Sequence, residues 1–148
     1  MSTDAAVTKD LIETLEDGKD GFAKGAEKLT ADGSADNAAT FRELSAQRER
    51  FADELRGLAQ SYGDDIDDNG SVAAAVHRGW MSLKDALSGD DPQGVLDVAE
   101  QGEDHAVKQF EKALTEDLSP TLRTVVERQF HDVQVAHDTV RSLRDANA

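Results

Sequence analysis

SVAAAVHRGWMSLKDAL, residues 71–87, decides how the rest of the chain is read. Val72, Val76, Trp80, Leu83 and Leu87 recur at three- and four-residue steps, the period of a helix with one apolar side. At 1.5 Å per residue such a helix, over residues 71–88, reaches about 25 Å. Together with its acidic flanks, GDDIDDNG before and SGDD after, it is long enough to carry the chain from one end of a helical assembly to the other.

On each side of this segment lies a pair of longer apolar stripes. Leu11, Leu15, Gly18, Phe22, Ala26 and Leu29 mark a helix over 4–30, and TADGSADN ends it, with Ser34 or Asp36 placed to cap the next. Phe41, Leu44, Arg48, Phe51, Leu55, Leu58 and Tyr62 mark a second helix over 36–62. Asp91 before Pro92 opens a third over 91–116, with Leu96, Ala99, Glu103, Ala106, Phe110 and Ala113 on its stripe. Ser119 before Pro120 opens a fourth over 119–147, carrying Leu122, Val126, Phe130, Val133, His137 and Val140. Each long helix has roughly 26 residues, about 40 Å. The expected fold is all-α: one domain over 1–148, a four-helix bundle of two hairpins joined by a long crossover that contains an extra short helix. That is the ferritin-like connection, and a plain up-and-down array of five helices is the alternative.

Composition narrows the function. Lys+Arg 16 against Asp+Glu 31 gives a formal charge of −15, which repels phosphate backbones and argues against nucleic-acid binding. The chain has no cysteine, so disulfides, thiolate ligands and thiol nucleophiles are excluded, and a reducing compartment suits it. The N-terminal MSTDAAVTKDLIETLEDGKDG lacks the basic and apolar parts of a leader, and no run approaches the roughly 18 apolar residues of a membrane span. The expectation is a cytoplasmic protein without membrane or nucleic-acid partners, a monomer or small homo-oligomer that has room for a protein partner.

TLEDGKDGF (14–22), AQRERFADEL (46–55), SVAAAVHRGWMSLKDALSGDD (71–91), AEQGEDHA (99–106) and AHDTVRSLRDA (136–146) together resemble an uncharacterised bacterial family of ferritin-like four-helix-bundle proteins, a domain of unknown function. The resemblance spans nearly the whole chain. It implies the ferritin-like fold and brings no activity with it, although the company of ferritin-like proteins suggests a link to stress physiology.

A ferritin-like metal pair draws one glutamate from each of two helices and a Glu-x-x-His from each of the others. No Glu-x-x-His occurs here; Glu127, for example, is followed at that spacing by Phe130, and Glu103 by Ala106. The middles of the four stripes instead align Asp17 and Gly18, Arg48, Glu103 and the turn Gln129–Val133. Arg48 is therefore expected to occupy the interior region where ferritin-like proteins hold metal, paired with Glu103 and with Asp17 or Gln129 as further partners. A guanidinium carries five donors and takes a carboxylate through both oxygens, so it neutralises interior acids without a metal. The competing reading sends Arg48 out along the stripe's edge to solvent.

The histidines do not form an obvious ligand set. At about 100° per residue His137 falls about 20° from Phe130 and faces the core or its boundary, whereas His131 groups with Glu127, Gln134 and Asp138 on the wet side. His105 groups with Gln101, Lys108 and Gln109 and reads as solvated. DIDDNG, residues 65–70, copies the start of a calcium loop but has Val76 where the bidentate glutamate belongs. No nucleophile elbow or phosphate loop is present, and no catalytic residue is assigned. The reading is a non-catalytic bundle with a binding or structural role and no cofactor. One alternative is a divergent iron, manganese or zinc protein using Glu103, Glu127 and His137, with Asp17 as a further ligand. The other is an interaction module presenting His77, Trp80 and Met81.

Overall fold

A computed structural model describes residues 3–61, 79–89 and 91–147. Within these the chain is all-helical, without a strand: α1 Thr3–Ala31, α2 Ala35–Ser61, α3 Leu83–Ser88, α4 Pro92–Leu114 and α5 Pro120–Asn147. The long helices begin and end within two residues of the bounds read from their stripes. None of the described helices is long and apolar enough to cross a membrane. The DIDDNG stretch, Tyr62, His77 and most of the expected crossover helix lie outside the described residues.

Local chemistry sets the helix ends. α1 stops because Gly33 adopts φ +84, which a side chain disfavours. Ser34 N–H then donates to Leu29 O at 2.8 Å and Gly33 N–H to Thr30 O at 3.1 Å, closing the last turn and reversing the chain into α2. At the start of α4 the Asp91 carboxylate accepts from Gln93 N–H at 3.0 Å while Pro92 fills the first helical position. Asp4 on α1 accepts from Ser119 N–H at 3.1 Å, which ties the turn before α5 to the start of α1.

α1 packs on α2 and on α4, α4 packs on α5, and α2 touches α5. Residues near the start of α1 meet the end of α4, and Gly25 near its other end lies against Val95, so α1 and α4 run antiparallel. Since α1 and α2 form a tight hairpin, Ser61 and Pro92 fall at opposite ends of the assembly, and the connection between them has to run its length. The expected single helix over 71–88 needs correction in its described part. Gly79 takes φ +73, residues 79–82 form a turn, and only Leu83–Ser88 is helical, because a left-handed residue cannot continue a right-handed helix.

Two apolar clusters make the core. One gathers Leu11, Ile12, Leu15, Phe51, Leu55, Phe110, Leu122 and Val126; the other gathers Phe22, Leu29, Phe41, Trp80, Leu96 and Val140. Trp80, 4 % exposed, is slotted between α1 and α4. Its indole fills the space that side chains would occupy at two glycines: a Cβ at Gly21 would stand 2.4 Å from its Cδ2, and one at Gly102 would stand 2.3 Å from its Cε2. The ring meets Phe22 edge to face, with 5.1 Å between ring centres. Trp80 is therefore an interior wedge and not a surface contact, whereas Met81 is 78 % exposed.

The slot makes a paired test possible. Gly57 has no atom near its missing Cβ, so Gly57→Ala is expected to stabilise the chain by about 0.5–1 kcal/mol through helix propensity. Gly102→Ala gains the same propensity but drives a methyl into the rigid indole, with a net loss of about 1–3 kcal/mol in urea unfolding and a red shift of Trp80 fluorescence.

Candidate functional site

Between the two apolar clusters lies a polar layer. Arg48 on α2 is 1 % exposed and Glu103 on α4 is 0 % exposed. Arg48 Nη1 donates to Glu103 Oε1 at 2.6 Å and Nη2 to Oε2 at 2.7 Å, a two-point pair that uses both carboxylate oxygens. Nε donates to Gln47 Oε1 at 3.3 Å, and the guanidinium carbon stands 5.4 Å from the centre of the Phe22 ring. The side chain reaches this position by lying over Gly18, where a Cβ would stand 3.3 Å from Nη1. The cation is thus fully engaged inside the fold, and it does not run out to solvent.

The other residues of the expected layer divide. Asp17, one residue before that glycine, is buried on α1. Gln129 is buried but belongs elsewhere: its amide donates to Phe51 O at 3.2 Å and to Glu54 Oε1 at 2.9 Å, one turn of α2 beyond Arg48. The proposed Arg48–Gln129 contact is corrected on that ground, since the amide satisfies α2 carbonyl and carboxylate groups at its own height. Glu54 in turn also takes Arg128, which links α2 to α5 at the surface.

A further ionic cluster fastens α1 to α2. Arg56 Nη2 donates to Glu16 Oε1 at 2.5 Å and Lys19 Nζ lies 2.9 Å from Glu16 Oε2. Burial pushes the Glu16 carboxyl up, but the hydrogen bonds and charges of Arg56 and Lys19 outweigh it and leave it below its ordinary value. A carboxylate held down in the folded state contributes stability at neutral pH and loses it as pH falls through its folded value.

His137 lies where its place on the stripe puts it. It is 9 % exposed, at the boundary, and its ring is directed to α4: Nε2 lies 2.5 Å from Asp104 Oδ1, and Nδ1 lies 3.6 Å from Asp138 Oδ1. Glu103, Glu127 and His137 do not converge. Glu103 is held by Arg48 inside and Glu127 is exposed. The group of His and acidic side chains that does converge among the described residues is Glu100, Asp104 and His137, whose ligand atoms lie within 4.8 Å of one another. Sequence reading passed over Glu100 and Asp104, although their four-residue spacing puts both on one side of α4. His105, read as solvated, is half-buried, and the space for its Cβ and ring is left by Gly79. His131 is exposed and lines the same surface groove as His137.

The fold and site define a class: two antiparallel helical hairpins whose interior is crossed by a charge-paired layer. The chain belongs to the family of the domain of unknown function DUF2383, whose model matches residues 5–116. That match takes in Arg48, Trp80 and Glu103, while Gln129 and His137 lie beyond it. No curated protein matches the chain.

Truncating one member of the pair strands the other charge. Arg48→Met and Glu103→Leu are each expected to cost about 3–5 kcal/mol in chemical denaturation, and the double variant to recover most of that loss, because two apolar groups replace a paired charge at little net cost. Glu16→Gln is expected to flatten the loss of stability below the ordinary glutamate value of about pH 4.3, and to lower stability at neutral pH.

Proposed function

We propose that the chain is a ferritin-like four-helix bundle with no catalytic role, in which an ion pair has taken the place of the interior metals and function resides in binding at the acidic surface. The observation that carries this reading is the two-point Arg48–Glu103 contact. A divalent cation beside Glu103 would meet a fixed guanidinium within a few ångströms, in surroundings where like charges repel far more strongly than in water. The absence of any Glu-x-x-His in the sequence points the same way. Ser61 and Pro92 at opposite ends fit the ferritin-like topology, and only Leu83–Ser88 is helical in the described part of the connection, which is short for a fifth member of an up-and-down array.

The reading is tested by iron oxidation. His137→Gln protein, which lacks the outer cluster, is given Fe(II) without oxygen, desalted, and then exposed to air. The expected outcome is no iron retained beyond trace and oxidation no faster than in buffer. Retention of about two irons per chain with accelerated oxidation would establish an interior metal centre and overturn the reading.

A further inference from the structure

We propose that Glu100, Asp104 and His137 form a binding site for one divalent transition-metal ion of the zinc class, on the α4–α5 hairpin and separate from the Arg48 layer. The three side chains come from two helices, and their ligand atoms already lie within 4.8 Å of one another. Two carboxylate oxygens and one imidazole nitrogen suit Zn²⁺, which takes three protein ligands and leaves a position for water. Zn²⁺ holds nitrogen and oxygen at roughly 2.0–2.2 Å, so an ion enters between His137 Nε2 and Asp104 Oδ1, now 2.5 Å apart, and replaces their direct contact.

Two features of the surroundings point to a ligand. The first is the setting of His137. Its ring is about nine-tenths buried, Nε2 is turned to Asp104, and Nδ1 faces Asp138 at 3.6 Å. A metal-bound histidine is commonly oriented this way, with one nitrogen on the ion and a carboxylate behind the other. The second is access. A groove of about 380 Å³ lined by Val107, His131, Gln134, Val135, His137 and Asp138 opens on the Asp138 side of the imidazole, and Asp104, half-exposed, opens the other side of the site to solvent.

The cations now at the site are replaceable. Glu100 meets Arg144, and Arg141 Nε lies 3.5 Å from its Oε1, yet both arginines come from the surface of α5, with half and a third of their side chains exposed. Their outer ends are screened by water, although Glu100 itself is buried. A divalent ion puts more charge at shorter range against the same carboxylate, and Arg144 keeps Asp145, 3.0 Å from its Nη2, when it gives up Glu100.

The probes are Zn²⁺ by calorimetry and Co²⁺ by visible absorption, on the full chain. The expected result is one ion per chain, a Co²⁺ spectrum of low coordination number, and a rise in thermal midpoint with metal. Asp104→Asn, at a side chain that is 50 % exposed and so replaceable without loss of fold, and His137→Gln are each expected to weaken binding at least tenfold. Glu111→Gln, an exposed carboxylate on the same helix, is expected to change nothing, and Arg144→Ala to tighten binding severalfold by removing the competing cation. Equal affinity in the parent, Asp104→Asn and His137→Gln would show diffuse attraction to an acidic surface and overturn the site. So would absence of binding at stoichiometric metal. Neither result bears on Arg48 and Glu103, which the site does not use.

Discussion

A guanidinium and a carboxylate, both removed from water, set the terms for the rest of this fold. Arg48 and Glu103 lie on helices that share no extensive backbone contact, so the pair spans the interior from α2 to α4. Each charge is costly to bury alone, and the cost is met only when both oxygens and the guanidinium edge are satisfied together. That requirement places α2 and α4 at one relative height. It also explains Gly18: the arginine must pass across α1 to reach its partner, and a side chain there would press on Nη1 at 3.3 Å. Phe22 supplies the face on which the cation rests.

Above and below the pair the core is ordinary close-packed hydrocarbon, but one element departs from helix-on-helix packing. α1 and α4 present Gly21 and Gly102 toward a common gap, and Trp80 fills it from the connection between the hairpins. A single aromatic side chain thus anchors that connection to both hairpins. Wedging it between backbones, with Phe22 at its edge, joins the Trp80 slot to the Arg48 layer through one shared ring.

Much of this was legible in the sequence. The four long helices follow from uninterrupted stripes and from Asp91–Pro92 and Ser119–Pro120, whose chemistry fixes a helix start locally. Arg48 and Glu103 could be brought together because each is a charge at a stripe position and their helices have known lengths. The errors share a different cause. Gln129 lies one turn from the Arg48 layer, and an axial offset of about 5.4 Å cannot be read from stripe midpoints. His137 sits on a boundary, and its stripe position carries no signal for the carboxylates of Asp104 and Glu100 that lie beside it on another helix. Trp80 was open to a surface role because the slot depends on two glycines from distant parts of the chain facing each other, and no local pattern encodes that.

The most direct test of the central claim is NMR of the arginine side chains in ¹⁵N-labelled protein, read at Arg48. A guanidinium held at both ends inside the core gives separate, slowly exchanging Nη–H signals, because rotation about its C–N bonds would break the two bonds to Glu103. The account requires those signals to be resolved, protected from solvent, and lost when Glu103 is replaced by Gln. Averaged, rapidly exchanging signals like those of surface arginines would place Arg48 in water and contradict it.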